Sequence, residues 1–155
     1  MSTIKANRYE NTSTASGGLD IDTSGNVRVT TLADSAGNNN STPAEIASGR
    51  AKAWVNFNGR GTVAIRTSYN VASITDNGIG DYTINFTNAM ADGNFAVAGS
   101  ARWNDSGIAG YMRVISICAV GTLANAMTTS SIRVSVNYSN GGVDDAQVVT
   151  VTIFR

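Results

Sequence analysis

Beyond residue 50, apolar and polar residues alternate along most of this chain, the period of a strand with one face turned inward. Val63, Ile65, Tyr69 and Val71 share one face, Tyr82, Ile84 and Phe86 a second, and Ile132, Val134, Val136 and Tyr138 a third. AWVNF, NFAVAGSARW, GYMRVISICAV and AQVVTVTIF add further strand-like runs. The pattern predicts about seven strands separated by turn clusters, the spacing of a sandwich or closed barrel. The expected fold is all-β, an antiparallel β-sandwich with no long helix. In YMRVISICAV both faces are largely apolar, so that strand is either central in its sheet or covered on its second face by another subunit. Trp54 and Phe57 are expected in the core.

The region ahead of the sandwich reads differently. GGLDIDTSGNVRVTTL places Leu19, Ile21, Val27 and Val29 around the turn residues Ser24, Gly25 and Asn26, a hairpin signal, and ADSAGNNNST follows as a loop. Residues 1–41 hold few large apolar side chains and cannot bury enough surface to offset chain entropy alone. They are expected to form an extended arm that orders against sister subunits or a larger assembly. In STPAEIASGR, Thr42, Pro43 and Glu45 have the spacing of a capping box, and Gly49 ends a helix of about two turns. The expected organisation is an arm over 1–41, a helical hinge over 42–50 and a β-sandwich domain over 51–155.

Two glycine-containing stretches resemble ligand loops and are read as turns. TDNGIGDY is flanked by NVASIT and DYTINF, both strand-like, whereas a phosphate-binding loop leads into a helix. Asn77, Gly78 and Gly80 are expected to supply positive φ values, with Asp76 and Asp81 capping the turn's N–H groups. DIDTSGN copies the first half of a calcium loop, but its twelfth position falls on Thr31 rather than a bidentate glutamate.

Composition narrows the chemistry. Eleven acidic and eleven basic residues cancel, which leaves no field to draw in nucleic acid or an anionic membrane. No stretch approaches the roughly 20 apolar residues of a membrane span, and the opening lacks the apolar segment of a signal peptide. A soluble chain made in the cytosol is expected. The single cysteine, Cys118, reads as a buried thiol. With no histidine, the commonest general base and most zinc sites are unavailable, and neither enzyme activity, metal nor cofactor is expected. Asp144 and Asp145 form the densest acidic spot, but sequence neighbours seldom aim at one point.

Residues 49–99, GRAKAWVNFNGRGTVAIRTSYNVASITDNGIGDYTINFTNAMADGNFAVAG, resemble a module of tail fibre and other appendage proteins of tailed phages, particularly those of aquatic hosts such as cyanobacteria. STIKAN at the start is similar to the openings of such fibre proteins. The resemblance implies a virion structural protein made in the host cytoplasm. In such families it is usually a homotrimer, its N-terminal segment docked on other virion proteins and its β-rich domain facing outward. It also implies host receptor recognition. The short arm suits a capsid decoration or head fibre nearly as well. A surface glycan would be bound by aromatic rings stacking on sugar faces while amides and carboxylates take hydroxyls. RWNDSG and NYSNGGVDD carry that chemistry, which makes Trp103, Asn104, Asp105, Tyr138, Asn140 and Asp144 the candidate receptor-binding residues. Their alternative roles are structural, with Trp103 ending a strand, Tyr138 packing inward and the polar residues forming turns.

Overall fold

The computed structural model describes residues 8–10, 18–29, 31–34, 36–38, 40–103, 113–117, 126–138 and 141–155. The chain divides into two compact units, Met1–Gly49 and Arg50–Arg155.

In the first unit, β1 (Arg8–Glu10), β2 (Gly18–Ile21) and β3 (Val27–Arg28) form a small antiparallel sheet in that order. The β2–β3 hairpin is the one expected from the sequence. The Asp22 carboxylate closes its turn by accepting the N–H groups of Ser24 and Asn26, each at 2.9 Å. Helix α1 (Pro43–Gly49) opens with the capping box: Glu45 N–H donates to Thr42 Oγ1 at 3.2 Å, and Thr42 N–H donates to Glu45 Oε2 at 2.7 Å. Among the described residues, Val27, Leu32 and Ile46 leave about half of their surface exposed.

The second unit is a sandwich of two antiparallel four-stranded sheets. One sheet has the order β5 (Ala64–Tyr69), β4 (Ala51–Asn58), β11 (Val148–Phe154), β8 (Ala96–Arg102). The other has the order β6 (Val71–Gly78), β7 (Asp81–Phe86), β10 (Ser131–Tyr138), β9 (Arg113–Ile117). The core lies between them: Ala53, Val55, Phe57, Val149, Val151 and Ile153 from the first sheet face Tyr82, Ile84, Ile132, Val134 and Val136 from the second. Phe57 and Tyr82 meet edge to face across this interior, ring centroids 5.1 Å apart. Gly99 on β8 lets the edge strands β8 and β9 approach, since a Cβ there would stand 3.2 Å from Ile115 Cγ1 of β9, and it would also stand 2.7 Å from the Thr150 carbonyl oxygen of the neighbouring β11.

Several sequence expectations need correction. The run from Val63 to Val71 is not one strand. Asn70 adopts a left-handed φ of 55° and turns the chain from β5 in one sheet to β6 in the other, so the described residues of the sandwich form eight strands, β4 to β11. Trp54 is outside the core, because period two puts it on the face opposite Ala53, Val55 and Phe57. Arg113–Ile117 is not central: among the described residues it pairs with β10 alone and forms a sheet edge, with Val114 and Ile117 exposed. Cys118 and the remainder of Tyr111–Val120 lie outside the described residues.

TDNGIGDY is the β6–β7 hairpin, with positive φ at Gly78 (130°) and Gly80 (64°) but not at Asn77. Asp76 Oδ1 accepts Gly78 N–H at 3.0 Å as expected. Asp81 does not cap the turn. It is buried, and a buried carboxylate needs a cation, so it accepts Arg133 Nε on the neighbouring strand at 2.8 Å.

Candidate functional site

At one end of the sandwich the chain brings together side chains from four separate stretches. Trp103 directly follows β8, Arg113 opens β9, and Tyr138 closes β10 opposite Arg113 in the strand register. The segment after β10 doubles back, with Tyr138 N–H donating to Gly142 O at 2.7 Å, and delivers Asp144. Arg113 is the hub. Its guanidinium carbon lies 5.1 Å from the Trp103 ring centroid and 4.9 Å from that of Tyr138. Its Nε and Nη2 both donate to Asp144 Oδ2, at 2.9 and 2.7 Å. The pair is well buried, the side chains being 6% and 11% exposed, so the Coulomb attraction is weakly screened. Arg60, in the β4–β5 connection, places a second guanidinium 4.4 Å from the Trp103 centroid. The Trp103 indole N–H is buried and has no hydrogen-bond partner among the described residues.

Asp145 faces elsewhere. Its Oδ1 accepts Gly80 N–H at 2.7 Å and lies 2.8 Å from Tyr82 Oη, which is also 2.8 Å from the Gly59 carbonyl oxygen. Burial, reinforced by the Asp145 carboxylate, pushes the Tyr82 phenol well above its ordinary pKa, so it stays neutral. Glycine is required at both contact points: a Cβ on Gly59 would stand 2.6 Å from Tyr82 Oη, and one on Gly80 2.7 Å from Asp144 N. The adjacent aspartates therefore serve two different sites, one gripping Arg113 and the other locking the β6–β7 hairpin to the β4–β5 turn.

Of the sequence-predicted residues, the structure gathers Trp103, Tyr138 and Asp144 around Arg113. Asn104, Asp105 and Asn140 lie outside the described residues. The Asp144 carboxylate is committed to Arg113, which turns it from a free acceptor into an anchor for the cluster. Sequence reading missed Arg113 and Arg60. A cation inside the apolar run YMRVISICAV was the available signal, because such a residue needs a buried anion or an aromatic face.

The outer face of the β5–β4–β11–β8 sheet was missed as well. Trp54 stands opposite Tyr69 in the register, with Asn56, Thr67, Thr150 and Thr152 on the same face. Among the described residues no group of three or more His, Cys, Asp or Glu side chains is placed to hold a metal ion, and no helix is long and apolar enough to cross a membrane.

No protein-family model matches the chain, and no curated protein matches it. Among solved structures the chain is similar to the phiAB6 tailspike, crystallised in complex with three-repeated oligosaccharides of Acinetobacter baumannii surface polysaccharide. The likeness has a TM-score of 0.46 and 13% sequence identity, and it covers 98% of this chain. The chain spans 30% of the tailspike chain.

Proposed function

We propose that this protein is a phage virion structural component, a fibre-like appendage that assembles as a homotrimer and takes part in recognising a host surface glycan. The observation that carries the reading is the resemblance of residues 49–99 to the appendage module. Those residues build β4 to β7 and enter β8. Two structural features support it. Val27, Leu32 and Ile46 of the first unit, with Val114 and Ile117 at the β9 edge, offer apolar surface that neighbouring copies or other virion proteins would cover. The Trp103–Tyr138 cluster puts aromatic rings at one end of the sandwich, held by the buried Arg113–Asp144 pair, as a rigid recognition surface requires. The protein acts as a binding component and not as an enzyme.

The first experiment is the solution mass of the intact protein by light scattering after gel filtration. Three chain masses are expected, followed by binding of the purified trimer to host cells. A monomer would remove the homotrimer. Binding to capsid lattice without binding to cells would replace receptor recognition with capsid decoration.

A further inference from the structure

A cleft away from the candidate receptor-binding residues carries an exposed aromatic ring beside cationic residues. The cleft, of about 350 Å³, opens beside the start of β4, lined by Arg50, Lys52, Tyr69, Asn70, Asn88 and Arg155 among others. That volume lies within the roughly 300–1,000 Å³ of small-ligand sites. Tyr69 is 53% exposed, unusual for so large a ring, and it sits across the strand register from Trp54, so the two side chains leave the same face of the sheet. Lys52 and Trp54 occupy alternate positions of β4, which brings the cation and the rings to the same side.

The cleft's frame is fixed before any ligand arrives. Asn70, at its left-handed φ of 55°, directs its side-chain amide to the Lys52 and Asn88 carbonyl oxygens, both at 3.1 Å. Its Oδ1 accepts Asn88 N–H at 2.7 Å. Among the described residues no acidic side chain lines the cleft. Asp92 is held at its edge by Arg155, whose Nε donates to it at 2.9 Å.

We propose that this cleft binds a carboxylate-bearing sugar residue of an anionic polysaccharide, the sugar's C–H face stacking on Tyr69 and its carboxylate meeting Arg50. The occupant follows from complementarity. An aromatic face is electron-rich and attracts polarised C–H groups, an arginine fork matches a carboxylate, and the Asn88 side-chain amide supplies a partner for hydroxyls. A nucleic-acid strand fits less well, because a chain of zero net charge lacks the run of phosphate contacts that such binding rests on. The inference deepens the glycan-recognition reading and depends on it for biological meaning.

The test is ligand-detected NMR on the intact protein, with sodium D-glucuronate as probe and D-glucose as its neutral counterpart. Glucuronate is expected to bind saturably. Its binding should fall about tenfold in Tyr69→Ala and in Arg50→Gln, the scale of one lost charge-assisted contact. It should also weaken from low to high salt. These positions lie at the surface, and circular dichroism verifies that the variants fold. Equal binding of the two sugars, or glucuronate binding unchanged in both variants, overturns the proposal. So does a short single-stranded oligothymidylate that outcompetes glucuronate. Cell binding by intact protein that persists in both variants, with no glucuronate binding, overturns this site and leaves the appendage reading standing. Glucuronate binding at Tyr69 by a protein that binds no cells keeps the site and removes host recognition.

Discussion

Tyr82 on β7 and Asp145, 63 positions later, meet hydroxyl to carboxylate at 2.8 Å inside the second unit. The contact joins three reversals of the chain, since the same carboxylate takes the hairpin N–H of Gly80 and the same hydroxyl reaches the carbonyl of Gly59. Removing either group takes one partner from the other and weakens the junction of the three reversals.

Asp145→Ala should therefore destabilise the sandwich by about 1.5–3 kcal/mol, and Tyr82→Phe by a similar amount, read as shifts of the urea midpoint. The double variant should cost clearly less than the sum of the two, because the singles remove the same bond. Full additivity would mean that the two groups are independent. The phenol also sets an alkaline limb. Its folded pKa is raised, so its contribution is complete below the unfolded value of about 10 and declines as pH rises above it. Tyr82→Phe should flatten that limb.

Glycine has different meanings at two positive-φ positions of the same unit. At Gly80 (φ 64°) a Cβ would also collide with Asp144 N at 2.7 Å, whereas at Gly61 (φ 66°) nothing lies within 4 Å. Gly61→Ala should cost only the left-handed backbone term of about 1–2 kcal/mol. Gly80→Ala should cost distinctly more, because the neighbouring backbone must move. Equal melting temperatures for the two variants would refute the close approach.

The Asp81–Arg133 pair predicts an acid limb. Hydrogen bonding from Arg133 holds the Asp81 carboxyl below its usual range despite burial. A depressed folded pKa means that the stabilisation is present above the unfolded value of about 3.9 and is lost as pH falls through the folded one. Arg133→Gln should reduce stability at neutral pH and shrink the drop between about pH 4 and pH 2, measured by denaturation across that range. An acid limb identical to that of the original protein would assign the titration to other carboxylates.

Arg113→Met should be among the most damaging single changes, costing about 3–5 kcal/mol, because Asp144 would be left buried without its cation. Arg113→Met combined with Asp144→Leu should recover much of that loss. Trp103 fluorescence should change in both variants, since a guanidinium leaves its ring. Recovery without any change in Trp103 emission would separate the ion pair from the aromatic cluster.

Features that depend on a few adjacent residues were legible in the sequence. The capping box of Thr42 and Glu45, the Asp22 turn and the TDNGIGDY hairpin are local: each needs a particular side-chain acceptor or a positive φ within a few residues. The inward faces of β7 and β10 were legible for a similar reason, since strict alternation against a buried core leaves one phase. That same alternation puts Trp54 and Phe57, an odd number of residues apart, on opposite faces, and the expectation of both in the core overlooked it. The break at Asn70 was hidden because a strand-like pattern on both sides conceals a single left-handed residue. Which strands lie at the edges, and that Arg113 rather than any loop carboxylate organises the Trp103–Tyr138 end, came only from the tertiary structure. So did the opposite commitments of Asp144 and Asp145 and the meeting of Tyr69 with Arg50 and Lys52. Each depends on pairing between segments far apart in the chain, chosen by packing the two sheets face to face, and the hydrophobic pattern within one segment carries no record of its partner.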